Sequence, residues 1–402
     1  MSNTQTKNVP ELRFPGFEGE YSLDIFGNLA TNKIEKFNPQ NENASIDIEL
    51  DCIEQNTGRL IKIYNSKEFS SQKNKFNPQN VLYGKLRPYL NKYYFTKKSG
   101  VCSSEIWVLK STKEDKLLNL FLYYFIQTKR YSDVASKSAG SKMPRADWGL
   151  IENIRVYFPE LCEQQKIGQF FSKLDRQIEL EEQKLELLQQ QKKGYMQKIF
   201  SQELRFKDEN GNDYPDWEEK QLGELSQIVR GASPRPIKDP KWFNKESDIG
   251  WLRISDVTNQ NGKIYHLEQK LSIEGQEKTR VLVTTHLLLS IAASIGKPVM
   301  NFVKTGVHDG FLIFLNPKFN LFFMYYWLEY FKDKWSKYGQ PGSQVNLNTE
   351  IVKSQTLNMP SNHEQEKVGQ FFNRNEKLIE LQQEKIMYLK RRKQVLLQKM
   401  FI

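Results

Sequence analysis

The residues that could carry out catalysis are few, and their spacing does not favour it. His308-Asp309 could serve as a base and its orienting acid in a nuclease, but an isolated step of this kind is usually structural. The other histidines, His266, His286 and His363, show no metal-ligand spacing. The sequence therefore predicts no metal site in this chain.

Motifs that bind nucleotides or transfer methyl groups are incomplete. Gly84-Lys85-Leu86 and Gly296-Lys297-Pro298 lack the Ser or Thr that follows the lysine in a phosphate-binding loop. Asn38-Pro39-Gln40 and Asn77-Pro78-Gln79 lack the second proline and the aromatic residue of amino-methyltransferases. We therefore predict no intrinsic enzymatic activity and no cofactor bound by this chain.

An excess of basic residues favours a polyanionic partner. The 402 residues include 59 Lys and Arg against 48 Asp and Glu, a formal charge of +11, and 12% are aromatic. This combination is more typical of nucleic-acid binding than of binding a small metabolite. Basic clusters that lie beside glycine, proline and aromatic residues indicate shaped loops rather than a uniformly solvated face.

The predicted DNA-contacting loops occupy comparable places in the two halves of the chain. In the first half they follow the strand-like Val81-Leu82-Tyr83 and span 138–145; in the second they follow Leu287-Leu288-Leu289 and span 339–344. An ordinary surface role stays open for any single residue. The predicted contacts, which include further basic residues of the second half, are Lys85, Arg87, Tyr89, Asn91, Lys92, Ser141, Lys142, Arg145, Arg230, Arg235, Lys241, Arg253, Ser294, Lys297, Gln340, Ser343 and Gln344.

Cysteine usage and hydropathy indicate a cytoplasmic protein. Cys52, Cys102 and Cys162 are far apart, odd in number and not in a Cys-x-x-Cys arrangement, so they predict neither a disulfide framework nor a zinc site. The polar start at Met1–Lys7 predicts no signal peptide, and no apolar run approaches the roughly 20 residues of a membrane span.

Two segments, each shortly after a proline, repeat almost residue for residue at an offset of 201 positions. Glu163-Gln164-x-Lys166-x-Gly168-Gln169-Phe170-Phe171 returns as Glu364-Gln365-x-Lys367-x-Gly369-Gln370-Phe371-Phe372. This period is too long for a solenoid unit and indicates one module duplicated end to end. A second landmark, Glu-Leu-Arg-Phe, occurs at Glu11–Phe14 and Glu203–Phe206.

Each copy of the repeat predicts one long helix with a coiled-coil seam, because apolar residues recur at alternating spacings of three and four. Polar residues interrupt both seams at equivalent points, Glu181 with Gln382 and Lys192 with Lys393, which favours pairing of the two helices with each other. Tyr195 is one predicted seam residue. The residues predicted for helix pairing or partner docking are Phe170, Phe171, Ile178, Leu185, Leu188, Phe371, Phe372, Ile379, Ile386 and Leu389.

The segments between the helices predict two globular domains of mixed α and β structure. Helices are expected at Leu117–Tyr131 and Leu321–Lys337, with aromatic residues that favour the core over base stacking. The expected strands are Asp47–Ile53, Lys62–Tyr64, Gly100–Leu109, Ile249–Ile254, Leu287–Ile291 and Gly310–Leu315. The expected segments are an N-terminal piece beside the last helix (1–20), a first domain (21–157), a central helix (158–201), a connector (202–216), a second domain (217–358) and a C-terminal helix (359–402).

The repeated helix-opening segment, the two helical regions and the Glu-Leu-Arg-Phe landmarks resemble the specificity subunits of type I restriction-modification systems. The resemblance covers essentially the whole chain. It implies two target-recognition domains of α/β (mixed α+β) type, joined by two long helices in an antiparallel coiled coil, as a pseudo-two-fold internal repeat.

The resemblance also implies the function and the partners. Each domain would read one half of a bipartite double-stranded DNA target, and the helices would set the spacer and dock two methyltransferase subunits. Restriction/translocase subunits would join them, and S-adenosylmethionine, ATP and magnesium would belong to these partners. Two alternatives stay open: a basic coiled-coil scaffold without sequence specificity, and a single-chain DNA-modifying enzyme with unfamiliar motifs.

Overall fold

The chain forms two compact units in a computed structural model that describes residues 8–38, 46–66, 71–137, 142–291, 294–338 and 347–402. Unit 1 comprises Met1–Gln183 and Gln383–Ile402, and unit 2 comprises Lys184–Gln382. Two long helices, α5 (Leu161–Phe200) and α11 (Asn362–Met400), each contribute one portion to each unit.

Unit 1 contains a mixed α and β domain built on three small sheets. Its strands are β1 (Ser22–Ile25), β2 (Ala30–Thr31), β3 (Lys36–Phe37), β4 (Ile46–Ile48), β5 (Tyr64–Asn65), β6 (Lys73–Phe76), β7 (Val81–Gly84), β8 (Tyr93–Phe95), β9 (Gly100–Cys102), β10 (Ile106–Ser111) and β11 (Arg155–Phe158). Its short helices are α1 (Phe26–Leu29), α2 (Asn119–Phe125), α3 (Lys129–Ala135) and α4 (Trp148–Ile151). The sheets have the orders β1-β11, β2-β10-β7-β8 and β3-β6-β9-β4-β5.

Unit 2 contains a second domain of the same kind. Its strands are β12 (Glu218–Gln221), β13 (Gln227–Arg230), β14 (Gly250–Leu252), β15 (Lys263–Ile264), β16 (Arg280–Leu282), β17 (Leu287–Ser290), β18 (Pro298–Asn301), β19 (Thr305–Val307), β20 (Phe311–Leu315) and β21 (Thr356–Met359). Its short helices are α6 (Leu222–Leu225), α7 (Ile254–Asn259), α8 (Ile273–Glu277), α9 (Leu321–Phe331) and α10 (Thr349–Lys353). The sheets have the orders β12-β21, β13-β20-β17-β18-β15 and β14-β19-β16.

The two domains share their topology. The order β2-β10-β7-β8 corresponds to β13-β20-β17-β18, and in both domains a parallel pair, β4 with β9 and β14 with β19, lies in a separate sheet. The central strands β7 and β17 are short apolar runs in which every residue is buried, the pattern of a strand covered on both faces. The duplication therefore extends to the globular domains, where the sequences have diverged.

Aromatic residues of α2 and α9 form the cores, as the sequence predicts. Tyr123, Tyr124 and Phe125 are buried in one cluster with Phe171 of α5, and Tyr325, Tyr326 and Trp327 are buried with Phe372 of α11. Each long helix thus begins as part of a globular core. This attachment orients the helix relative to the sheets of its own unit.

The Glu-Leu-Arg-Phe landmark has a structural role at the start of each long helix. Arg13 donates from Nε and Nη2 to the two carboxylate oxygens of Glu163 at 2.8 and 2.7 Å, and Arg205 does the same to Glu364 at 3.2 and 2.8 Å. Glu163 and Glu364 are 1% and 0% exposed. We call each of these pairs of a buried glutamate and a partly exposed arginine a clamp.

Other polar contacts of the repeat are duplicated as well. Gln164 accepts from Leu118 N at 2.9 Å, and Gln365 accepts from Asn320 N at the same distance. Both glutamines donate at 2.8 Å to the carbonyl oxygen of the proline that precedes their helix. The repeated Glu-Gln pair therefore satisfies buried polar groups where the domain meets the helix.

The portions of α5 and α11 within each unit run antiparallel. In unit 1, Asp175 pairs with Lys393 at 2.6 Å and Glu182 pairs with Lys390 at 2.7 Å, so rising numbers on α5 meet falling numbers on α11. In unit 2, Lys192 lies 3.4 Å from Glu376. The polar interruptions that the sequence predicts at Lys192 and Lys393 are thus the basic members of equivalent ion pairs.

Several element boundaries differ from the sequence prediction. The helix expected over Leu117–Tyr131 is two helices, because tight i to i−3 bonds such as Thr128 N to Phe125 O end α2. The helix expected over Leu321–Lys337 ends at Phe331 and continues as a 3-10 turn, Lys332–Tyr338. At the end of α5, Met196 is buried while Tyr195, the expected seam residue, is exposed.

Several predicted strands are shorter than expected; the strand expected over Ile249–Ile254, for example, covers only Gly250–Leu252. The strand over Asp47–Ile53 stops at Ile48 and is followed by a 3-10 turn, Leu50–Cys52. The stretch Gly100–Leu109 is two strands, since Ile106 N bonds to Ser103 O in a turn between them. The turn places Glu105 immediately before β10.

Candidate nucleic-acid interface

In unit 1 the two predicted DNA-contacting loops are adjacent at one end of the four-stranded sheet. Lys85, just after β7, donates its backbone N–H to Glu105 O at 3.0 Å and accepts from Ala146 N at 2.8 Å. Arg87 N donates to Pro144 O at 2.7 Å. The backbone therefore brings the loop after β7 and the loop before α4 together.

The loop after β7 presents Arg87 and Tyr89 to solvent. A 3-10 turn, Pro88–Leu90, is flanked by Arg87 and Asn91 with positive φ values of 52° and 46°. Non-glycine residues in this region are uncommon and often occur at functional sites. Tyr89 is 57% exposed.

Other predicted contacts of unit 1 have partners within the fold. Lys92 donates to the carbonyl oxygen of Leu50, and Arg145 forms a two-point ion pair with Glu105 at 2.9 and 3.1 Å. The hydrogen bond from Arg145 lowers the pKa of Glu105, although burial opposes it. Lys142 is exposed, and Ser141 lies outside the described residues.

In unit 2 three loops converge at the corresponding end of the five-stranded sheet. Arg230 ends β13, Gly231 N donates to Phe311 O at 2.9 Å, and Ile291 N donates to Gly310 O at 2.9 Å. The chain after β13, the turn before β20 and the chain after β17 are therefore neighbours. Arg230, Arg235 and the turn Ser294–Lys297 all belong to these segments.

Asp309 organises the basic residues at this end. Its carboxylate accepts from Ser233 Oγ at 2.7 Å and from Arg235 Nη2 at 2.7 Å, and its carbonyl oxygen accepts from Arg230 Nε at 2.6 Å. Burial acts to raise the pKa of Asp309, but Ser233 and Arg235 outweigh it, so the pKa is lowered. The carboxylate is therefore held ionised beside the arginines.

His308 has a structural environment. Its Nδ1 accepts from Gly310 N at 2.8 Å, and its ring lies 4.8 Å from the ring of Phe311. Burial lowers its pKa, which favours the neutral imidazole. The arrangement supports the structural interpretation of the His-Asp step, and among the described residues no group of His, Cys, Asp and Glu could hold a metal ion.

The remaining predicted contacts of unit 2 differ in exposure. Lys241 is exposed, whereas Arg253 forms a two-point ion pair with Asp256 at the start of α7. Lys297 donates to the carbonyl oxygen of Val257 at 3.3 Å, and burial lowers its pKa. Ser294 is partly exposed, and Gln340, Ser343 and Gln344 lie outside the described residues.

Sequence reasoning did not identify the two carboxylates at the sheet ends as partners of arginines; it considered Asp309 only beside His308. Glu105 and Asp309 precede the central strands β10 and β20 in both domains, and each holds an arginine of the predicted set. The signal was present in the sequence as an acidic residue just before an apolar run in each half. Only the fold shows that both carboxylates lie at the corresponding sheet end, because the intervening sequences have diverged.

The predicted helix-pairing residues lie largely inside their units. Phe171, Ile178, Phe372, Ile386 and Leu389 are buried. The other five predicted residues are partly exposed: Phe170, Leu185, Leu188, Phe371 and Ile379. The buried set packs in cores, so any docking of a partner by this set would involve the partly exposed residues.

The structure thus combines a duplicated sheet-and-helix domain with basic loops at one end of each sheet. The family described as Type I restriction modification DNA specificity domain matches the chain twice, at residues 21–190 and 214–391. The chain belongs to this family. It is the DNA sequence-recognition subunit of a type I restriction-modification system, a class of subunit that is not catalytic.

Individual relatives agree with this assignment. The chain is 26% identical over 315 residues to the type I restriction enzyme MjaVIII specificity subunit of Methanocaldococcus jannaschii, covering 71% of this chain and 70% of the relative. It is 23% identical over 281 residues to the putative MjaX specificity subunit of the same organism, covering 68% and 64%.

Solved structures share the fold at low sequence identity. One comes from work on the structural basis of complex assembly and conformational transition of the type I R-M system. It has a TM-score of 0.61 at 18% identity, and the match covers 94% of this chain and 97% of the other. The S subunit from M. genitalium has a TM-score of 0.57 at 14% identity and covers 98% and 99%.

Proposed function

We propose that each globular domain reads one part of a split DNA target and that α5 and α11 hold the two readers at a fixed spacing. The observation that carries this proposal is the duplicated sheet end, where basic loops meet at equivalent strands of two domains. A rigid helix spaces two binding modules better than a flexible linker does. Side chains at the sheet ends would contact base edges, and other basic residues would contact phosphates.

Exchange of one domain tests the assignment of one domain to one half-site. Residues Tyr21–Tyr157 are replaced with the matching segment of a relative, and methylated adenines are mapped across the genome. We expect one half-site to change and the other to persist. A change in both half-sites, or in neither, would contradict the proposal.

A change in helix length tests the spacing role. Insertion of one helical turn, about 5.4 Å, into both α5 and α11 should alter the tolerated gap between half-sites without altering the half-sites. Gly194→Ala, which preserves helix length at a position with open space around it, is the matched control. An unchanged gap in the lengthened protein would count against a spacing role.

We infer that the outer faces of the long helices dock two methyltransferase subunits. Large apolar side chains recur at seven-residue spacing on each helix: Leu180 and Leu187 on α5 are 49% and 54% exposed, and Leu381 and Tyr388 on α11 are 52% and 62% exposed. The two pairs are equivalent in the repeat. Two equivalent exposed stripes fit two copies of one partner.

Leu187→Glu and Tyr388→Glu test this docking surface one stripe at a time. Each variant should lose one methyltransferase subunit from the assembled complex, and the double variant should lose both, as measured by native mass spectrometry. Gln189→Glu and Gln383→Glu add the same charge at exposed polar positions of the two helices. Full assembly of the double variant would rule out the stripes as the docking surface.

The wider assembly follows from the same proposal. Restriction/translocase subunits would join the complex, S-adenosylmethionine, ATP and magnesium would bind to partner subunits, and the complex would act in the cytoplasm. Among the described residues, no helix is long and apolar enough to cross a membrane. A non-specific scaffold would instead bind all DNA alike. The slope of the logarithm of its affinity against the logarithm of salt concentration would be about −0.9 per phosphate contacted.

A further inference from the structure

Both domains hold an exposed arginine against a carboxylate at the corresponding end of the sheet. Glu105 directly precedes β10 in unit 1, and Asp309 lies two residues before β20, the corresponding strand of unit 2. The Arg145 side chain is 50% exposed and the Arg235 side chain is 69% exposed. The arginines come from different loops, one before α4 and one after β13. By strand register Glu105 corresponds to Gly310, one residue after Asp309, so the two pairs share a sheet end but not a residue position.

Each carboxylate fixes the orientation of its arginine. Glu105 binds Nε and Nη2 of Arg145 together, which holds the guanidinium plane. Asp309 binds Nη2 of Arg235 through Oδ2, and its other oxygen is held by Ser233 Oγ, whose oxygen also accepts from Asp309 N at 3.2 Å. An oriented guanidinium loses less side-chain freedom when it binds a ligand.

Stability alone does not account for these pairs. Exposed ion pairs contribute little to folding because water and salt screen them. In the clamps, by contrast, the glutamate is buried and the arginine is only partly exposed, and both clamps lie where a domain joins its long helix. Carboxylate-bound arginines at the solvent-facing sheet ends, beside the other predicted DNA contacts, fit a role in binding.

The chemistry of the pair favours a base over a phosphate. A guanidinium has five N–H donors in a planar fork, and guanine O6 and N7 in the major groove accept from such a fork at two points. A pair of opposite charges carries no net charge and releases few counterions from DNA. It therefore contributes discrimination between bases more than salt-dependent affinity.

We propose that Arg145 and Arg235 each read a guanine, one in each half-site, and that Glu105 and Asp309 are positioning residues. This inference rests on the proposed function, since it assigns the base that each domain reads. Each half-site then contains at least one G·C pair, contacted through the major groove.

The test uses the complex of this subunit with its methyltransferase subunits and measures binding to every single-base variant of the target. Arg145→Ala should lose discrimination at one G·C position of one half-site by about 5- to 150-fold, and Arg235→Ala should do so in the other half-site. Arg145→Lys and Arg235→Lys keep the charge without the planar fork and should lose the same discrimination. Arg176→Ala, which removes an exposed arginine paired with Glu179 at 2.6 Å on α5, should leave both half-sites unchanged.

The positioning residues have a separate readout. Glu105→Gln and Asp309→Asn retain side-chain size but release a positive charge, so discrimination should fall at the same base pair while the salt dependence of binding steepens by up to about one unit. If the pair were purely structural, these variants would change neither the discrimination at a single base pair nor the salt dependence of binding.

Three results would overturn the assignment. They are a wild-type half-site without a G·C pair, an arginine variant with unchanged discrimination, and loss spread evenly over all positions. Failure of the proposed function itself would give another result, since the wild-type complex would then recognise no split target. A thermal unfolding curve for each variant separates misfolding from loss of recognition.

Discussion

Unit 1 and unit 2 are alike where each domain joins its long helix and different where the sheets end. The clamps Arg13–Glu163 and Arg205–Glu364 have matching geometry, whereas the sheet ends present Arg87 and Tyr89 in one unit and Arg230 with Arg235 in the other. Buried charges tolerate little change because an unpaired one is costly. Exposed loops carry no such constraint, so they are free to diverge in what they recognise.

Removal of a clamp carboxylate should produce the largest effect and should be the same in both units. Glu163→Ala and Glu364→Ala each leave an arginine without its buried partner, so each should destabilise its own unit by about 3–5 kcal/mol. Hydrogen exchange read by mass spectrometry reports each unit separately. Lys399→Ala, which removes an exposed ion pair with Glu11, should cost about 0–1 kcal/mol. A loss confined to one clamp variant would show that the two joints are not equivalent.

Loss of the paired lysines should instead have a different effect in each unit. Lys393→Met leaves Asp175 with the Tyr124 hydroxyl, whereas Lys192→Met leaves Glu376 with both Lys263 and the Tyr326 hydroxyl. We expect a cost of about 2–3 kcal/mol for Lys393→Met and about 1 kcal/mol for Lys192→Met, by the same exchange measurement.

Lys263 is the reason for that difference, because it pairs with Glu376 at 2.6 Å. In a Lys263→Met background, Lys192→Met should therefore become as costly as Lys393→Met. Equal costs of the two single variants would mean that Lys263 does not support Glu376.

Two glycines of α5, Gly168 and Gly194, provide a smaller effect with an internal control. A Cβ at Gly168 would lie 2.7 Å from Leu120 Cγ, while a Cβ at Gly194 of the same helix would meet nothing within 4 Å. Gly168→Ala should destabilise unit 1 by about 1–2 kcal/mol through overpacking, and Gly194→Ala should stabilise the helix by about 0.5–1 kcal/mol. Urea unfolding measures both changes; a stabilising Gly168→Ala would contradict the close contact.

Protonation of one buried carboxylate of unit 2, Glu376, should have the smallest effect. Burial acts to raise the pKa of Glu376, but Lys192 and Lys263 outweigh it, so the pKa is lowered. The stabilising contribution is therefore complete above the ordinary glutamate pKa of about 4.3 and is lost as pH falls through the lowered value. Urea unfolding between pH 3 and pH 7 should show a steeper acid loss for the wild type than for Glu376→Gln. Identical pH profiles would show that Glu376 is not stabilised as an ion.

The duplicated helices and the mixed domains follow from the sequence because their signals are local and repeated. Seam residues such as Phe171 and Phe372 recur at the same offset, and apolar runs such as Leu287-Leu288-Leu289 predict buried strands directly. The end of α2 and the split of Gly100–Leu109 could not be predicted, since turns with i to i−3 bonds decide both.

The candidate site was predictable as loops but not as pairs. Arg145 and Arg235 stood out as basic residues beside proline, yet their partners Glu105 and Asp309 are 40 and 74 residues away in sequence. Only sheet register brings such residues together. The sequence marks the arginine of the Glu-Leu-Arg-Phe landmark because the landmark, like the helices, is repeated. Its pairing with glutamate is not predictable, since the partner lies 150 residues away in unit 1.

The clamps have a consequence for how such proteins change over evolutionary time. Because the glutamate belongs to the repeated helix and the arginine to the landmark before the domain, the two residues of each clamp lie at the two borders of a globular domain. A gene segment transferred between two nearly identical borders would bring in a foreign globular domain that already carries matching clamp residues. A new DNA specificity can then arise in one recombination step, without compensating mutations in the long helices.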